Sequence, residues 1–158
     1  MPEFILDRGG PESAKHFATL SPFTQGYIEA ALFCGVETCS DTDKSDEFGF
    51  GDLATDAVKA IIADCEAFET ANEADLEAID GAAWGGHGKY DREAAGRDYW
   101  FTRNGHGAGY WSRGFEGDAA GVAERLDQAA SEAGESYLYL GDDGRVWVFP
   151  CDSIVDRK

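Results

Sequence analysis

The side chains best suited to chemistry are concentrated in the string Asp98-Tyr99-Trp100-Phe101-Thr102-Arg103-Asn104-Gly105-His106-Gly107-Ala108-Gly109-Tyr110-Trp111-Ser112-Arg113. A single histidine, His106, stands between glycines, with large aromatics on both sides. An imidazole is suited to general base catalysis near neutral pH. A guanidinium such as that of Arg103 can hold an anion through its forked donors, and a carboxylate such as Asp98 can orient the imidazole. On this reading His106, Arg103 and Asp98 form a catalytic constellation or, with aromatics for base stacking, a nucleotide-binding sponge. A competing reading is a packed hairpin, in which the glycines serve turn geometry and close approach and His106 bonds to backbone. The string is no phosphate loop, which needs Gly-Lys-Ser/Thr, and it lacks the dinucleotide spacing. The sequence does not place a nucleophile beside His106.

Metal chemistry finds little support. His16, His87 and His106 are far apart, although Gly86-His87-Gly88 and Gly105-His106-Gly107 are alike, and no ligand spacing appears. Asp41-Thr42-Asp43-Lys44-Ser45-Asp46 alternates oxygen ligands. It lacks the glycine at the sixth position and the glutamate at the twelfth that a calcium loop requires, where Asp52 is only a shorter carboxylate. Neither metal nor cofactor is expected. Cys34, Cys39, Cys65 and Cys151 form no Cys-x-x-Cys pair, and they read as reduced thiols packed as small hydrophobes.

The second chemical resource is charge. The 158 residues carry 31 acidic and 13 basic side chains, a formal net charge of −18. Residues 37–80 hold fourteen of the acids against only Lys44 and Lys59. Such a surface repels nucleic acid and anionic membrane and attracts basic partners. Carboxylates spaced along it can imitate phosphates and occupy a basic groove. The partner-binding residues expected on this ground are Asp41, Asp43, Asp46, Glu47, Asp56 and Glu66. The alternative is a solvated face that only confers solubility.

These residues need elements to position them. Residues 1–20, with Gly9-Gly10-Pro11, read as an irregular lead-in. Ser21-Pro22 is a helix start, and Phe23, Tyr27, Ile28, Ala31 and Leu32 follow at helical spacing to about 34. Residues 35–52 read as a loop. Ala54, Val58, Ile61, Ile62, Cys65 and Phe68 form one apolar stripe, capped by Asp52 or Thr55. Asn72 caps a short helix carrying Leu76 and Ile79. Gly81–Gly88 is a glycine-rich loop around Trp84. The β-prone run 97–102, the Asn104-Gly105 turn and Tyr110–Arg113 predict a first hairpin. Asp118 opens a helix with Val122, Leu126 and Ala129/Ala130 inside, stopped by Gly134. Tyr137–Leu140 and Arg145–Phe149 predict a second hairpin, and 151–158 a partly ordered tail. The expectation is one α+β domain over 1–158: an antiparallel sheet of two hairpins, about four strands, against three to four helices. No stretch reaches the length of a membrane span, and the N-terminus does not read as a signal peptide, so a cytoplasmic protein is expected.

Gly96–Trp111, with its Thr102-Arg103-Asn104-Gly105-His106-Gly107-Ala108-Gly109 core followed by two aromatics, resembles a segment common to small proteins of bacteriophages and prophages. The likeness extends to Tyr27–Phe33 and Leu138–Val146, and so covers roughly residues 23–149. That group has no established activity, so the resemblance implies a setting. Small acidic phage proteins of that setting disarm host nucleic-acid-binding machinery, as inhibitors of CRISPR complexes and restriction enzymes do. It implies a cytoplasmic protein that binds a basic, nucleic-acid-binding host complex and not nucleic acid itself.

Overall fold

The computed structural model describes residues 10–33, 48–84, 88–105, 107–141 and 143–149. Six α-helices and one antiparallel strand pair are present among them: α1 Gly10–Thr19, α2 Pro22–Phe33, α3 Thr55–Ala71, α4 Glu73–Ile79, α5 Arg92–Arg103, α6 Asp118–Ala133, β1 Tyr137–Leu140 and β2 Val146–Phe149. The class is α+β, but the helices carry most of it.

All four predicted helices form where the apolar spacing places them, the short one as α4 with Leu76 and Ile79 buried. The stripe of α3 buries Val58, Ile61, Cys65 and Phe68, and that of α6 buries Val122, Leu126 and Ala130. Gly134, at φ 82°, ends α6 in a backbone conformation that a Cβ disfavours. The second hairpin also forms, with Leu138 paired to Val148 and Leu140 to Val146. The caps differ from expectation. Ala54 occupies the N-cap of α3, while the Asp52 carboxylate accepts from the Gly49 amide at 2.8 Å. Asn72 serves the end of α3, its side-chain amide donating to the Phe68 carbonyl at 3.0 Å.

Two expectations are corrected. Residues 10–19 are not an irregular lead-in but a helix. Its single fully buried side chain, Phe17, meets Phe50 edge-on with ring centroids 5.2 Å apart. One buried residue in ten leaves no stripe to read. The first hairpin is absent as well: 97–102 belongs to α5, and Tyr110–Ser112 is a 3-10 turn. The sheet therefore has two strands among the described residues, not about four. Asp91 starts α5, its carboxylate accepting from the Ala94 amide at 2.8 Å. Glu93, Ala94 and Ala95 then favour the first turn.

Helix α5 is the centre of the molecule, with Ala94, Ala95, Gly96, Asp98, Tyr99, Trp100, Thr102 and Arg103 all buried. It crosses α2 through two glycines. Gly96 lies on the backbone of Phe23 and Tyr27, and Gly26 on that of Glu93, so a Cβ at either would overlap main-chain atoms. Across this seam Tyr99 stacks on Phe68 with centroids 4.0 Å apart, near Phe23 and Tyr27. Aromatic contacts of this kind add to the area they bury.

Candidate functional site

The polar groups of the 98–113 string fall into two clusters on different sides of α5. Asp98 and Arg103, five residues apart, are separated by about 140° around the helix. In the first cluster Asp98 is 1% exposed. The Tyr90 hydroxyl donates to its Oδ2 at 2.6 Å. Arg113 Nε lies 3.0 Å from both carboxylate oxygens, and Nη2 completes the fork on Oδ1. The guanidinium sits over the rings of Trp84, at 5.3 Å, and Phe101, at 6.0 Å. Burial, then the neighbouring Asp98 charge, pushes the Tyr90 phenol well above its ordinary pKa, so it stays a donor. Trp84, from the glycine-rich stretch after α4, covers this pair.

In the second cluster Arg103, 8% exposed, joins four helices. Nε donates to the Gly134 carbonyl at 2.7 Å and Nη2 to that of Ala133 at 3.2 Å. A cation at the end of α6 suits both the open carbonyls and the helix dipole there. Nη1 donates to the Tyr27 hydroxyl at 3.2 Å and pairs with Asp64. Tyr99, whose ring lies 4.9 Å beneath the guanidinium, donates to Asp64 Oδ1 at 2.9 Å. Burial works against the charge on Arg103, but Tyr27, Tyr99 and Asp64 outweigh it and its pKa is raised. Burial raises the Tyr27 and Tyr99 phenols as well.

Asp98 and Arg103 thus have their hydrogen-bonding groups engaged inside the fold and do not converge on one another. His106 lies outside the described residues. The glycine-rich string closes back along α5. Thr102 Oγ1 accepts from the Tyr110 amide at 3.2 Å, and the Tyr110 hydroxyl donates to the Ala95 carbonyl at 2.8 Å. Gly109, at φ 155°, packs on Thr102 where a Cβ would collide with its hydroxyl. These contacts perform the packing that the competing reading assigned to the glycines. Trp111 remains outside, 62% exposed. No group of three histidine, cysteine, aspartate or glutamate side chains is placed to hold a metal among the described residues. Cys65 is buried, and burial raises its thiol pKa well above the ordinary value.

Of the expected partner-binding residues, Asp56 and Glu66 are exposed on α3, about 15 Å apart along its axis. Asp41, Asp43, Asp46 and Glu47 lie outside the described residues. Much of the remaining acid of 52–80 is neutralised internally. Arg92 reaches Glu69, Glu73 and Glu77 at 3.5, 3.0 and 3.6 Å. Arg125 holds Asp75 at 2.8 Å, and Arg103 holds Asp64. Arg97 bridges Glu29 and Glu93 at 3.1 and 3.5 Å. The sequence could not show these long-range pairings, because the arginines stand up to 68 residues after their partners. Asp56 and Glu66 form no ion pair among the described residues, and neither do Glu124, Glu132 and Glu135, exposed on or just beyond α6. No family model, no curated protein and no solved structure matches the chain.

Proposed function

We propose that this chain is a phage-type accessory protein that binds and inhibits a basic, nucleic-acid-binding defence complex of its host, as an anti-CRISPR does, in the host cytoplasm. One observation carries the reading. Five of the six described arginines are held in carboxylate pairs, while Asp56, Glu66, Glu124, Glu132 and Glu135 face solvent without an ion partner. With five of its arginines engaged, the protein presents a negative field suited to steering a basic groove. Asp41, Asp43, Asp46 and Glu47 add to that field. Exposed Trp111 supplies the aromatic anchor that a protein interface uses at its centre. No helix among the described residues is long and apolar enough to cross a membrane.

The test immobilises the protein in host lysate at low and moderate salt, with and without competing duplex DNA. A captured nucleic-acid-binding complex should be lost as salt rises and be displaced by DNA. A variant carrying Asp41→Asn, Asp43→Asn, Asp46→Asn, Glu47→Gln, Asp56→Asn and Glu66→Gln should capture nothing. Undiminished capture by that variant, or retention indifferent to salt, would refute the reading.

A further inference from the structure

We infer that the groove between α1, the 3-10 turn Phe50–Asp52, α3 and the base of β2 binds a small amphipathic anion, a carboxylate head on an apolar body. The cavity measures about 370 Å³, within the roughly 300–1,000 Å³ range of small-molecule pockets. Its apolar wall consists of Phe50, Leu53, Val58 and Ile62, the first three buried in the core. Its polar lining includes two cations, Lys59 from α3 and Arg145 before β2, together with the His16 ring from α1. Ser13 and Thr55 add hydroxyl groups.

The charge pattern makes this groove distinctive. Nine lysines and arginines are described, and Arg92, Arg97, Arg103, Arg113 and Arg125 each pair with a carboxylate. Lys15, Lys59, Lys89 and Arg145 do not pair with one among the described residues, and two of these four line a single apolar cavity. On a chain of net charge −18, two cations that form no ion pair among the described residues and stand against an apolar wall are the reverse of solubilising decoration.

The geometry also holds Arg145 ready. Its Nη2 donates to the Leu53 carbonyl at 2.7 Å, and the next residue, Val146, accepts from the Ala54 amide at 2.8 Å. The guanidinium is therefore tethered to the wall of the groove, with Nε and Nη1 free of protein partners among the described residues. Fixing a fork in this way reduces the ordering cost of binding a carboxylate. The His16 ring is likewise set edge-on against Phe50, with centroids 5.4 Å apart.

Octanoate is a suitable probe, with acetate as the head alone and octylammonium as the charge-reversed body. Titrated into the full chain and followed by amide chemical shifts, octanoate should bind saturably. The shifts should centre on Phe50, Thr55 and Lys59, and acetate and octylammonium should leave these signals in place. Lys59→Gln and Arg145→Gln should each raise the Kd roughly tenfold, the worth of one charge-assisted hydrogen bond. Lys59→Gln removes an exposed side chain that makes no hydrogen bond among the described residues, so it reads out even if Arg145→Gln lowers stability. Equal shifts with octylammonium, shifts spread over the surface, or an unchanged Kd in Lys59→Gln would each overturn the assignment.

Discussion

The Asp98–Arg113 pair lies beneath Trp84, its carboxylate sealed from water and its guanidinium bracketed by two aromatic rings. Asp75–Arg125 joins α4 to α6 at the rim, with most of the guanidinium side chain in solvent. The functional groups are identical and the consequences differ. Inside, each charge exists only because its partner does, and removing one leaves the other desolvated and uncompensated. At the rim, water replaces whichever partner is lost. Asp64–Arg103 sits with the inner class, because Arg103 also closes the carbonyls of α6.

Breaking the inner class should produce the largest effects. Asp98→Ala should cost roughly 3–5 kcal/mol in urea unfolding, since it strands Arg113 and the Tyr90 hydroxyl together. Asp98→Asn should recover part of that loss. Arg103→Lys keeps the charge but removes the fork that serves Gly134, Ala133, Tyr27 and Asp64, and should cost about 2 kcal/mol. Its signature would be faster amide exchange at the end of α6.

Asp127 sharpens the comparison, because it is a partly buried carboxylate whose Oδ1 has no hydrogen-bond partner among the described residues. Burial raises its pKa above the ordinary carboxylate value. The folded state therefore holds the proton more tightly than the unfolded chain. The resulting destabilisation is absent below the unfolded pKa and complete above the folded one. Asp127→Asn should raise Tm slightly at neutral pH, and the gain should shrink as the pH falls through the raised pKa of Asp127 and vanish below the ordinary carboxylate value. Arg125→Ala, at the rim, should leave Tm within measurement error of the parent. A substantial loss there would place the rim pair with the inner class.

The same division explains what could be read before the structure. Helices α3 and α6 each bury part of their circumference, so apolar spacing reports them, and α2, buried as fully as α5, is marked by its Ser21-Pro22 start. Helix α5 is buried nearly all round and carries Asp98, Thr102 and Arg103 into the interior, each with partners. Its aromatic run therefore mimics a strand, and the start signal at Asp91 is the clue that outweighs it. The acids of 37–80 were countable in the sequence, but their neutralisation by Arg92 and Arg125 depends on how α4, α5 and α6 pack. Neither was the cationic groove legible, because His16, Lys59 and Arg145 come from separate parts of the chain and meet only in the fold.

The crossing of Gly26 and Gly96 has a mechanical consequence. At that seam two main chains touch with no side chain between them, and glycine is missing one turn along on either helix. Sliding α5 by a turn would bring Arg92 or Trp100 to the place of Gly96, and sliding α2 would bring Ala30 there for Gly26. The pair therefore has one register and acts as a keyed joint. Any motion that accompanies binding must hinge elsewhere and carry α2 and α5 together as a single strut.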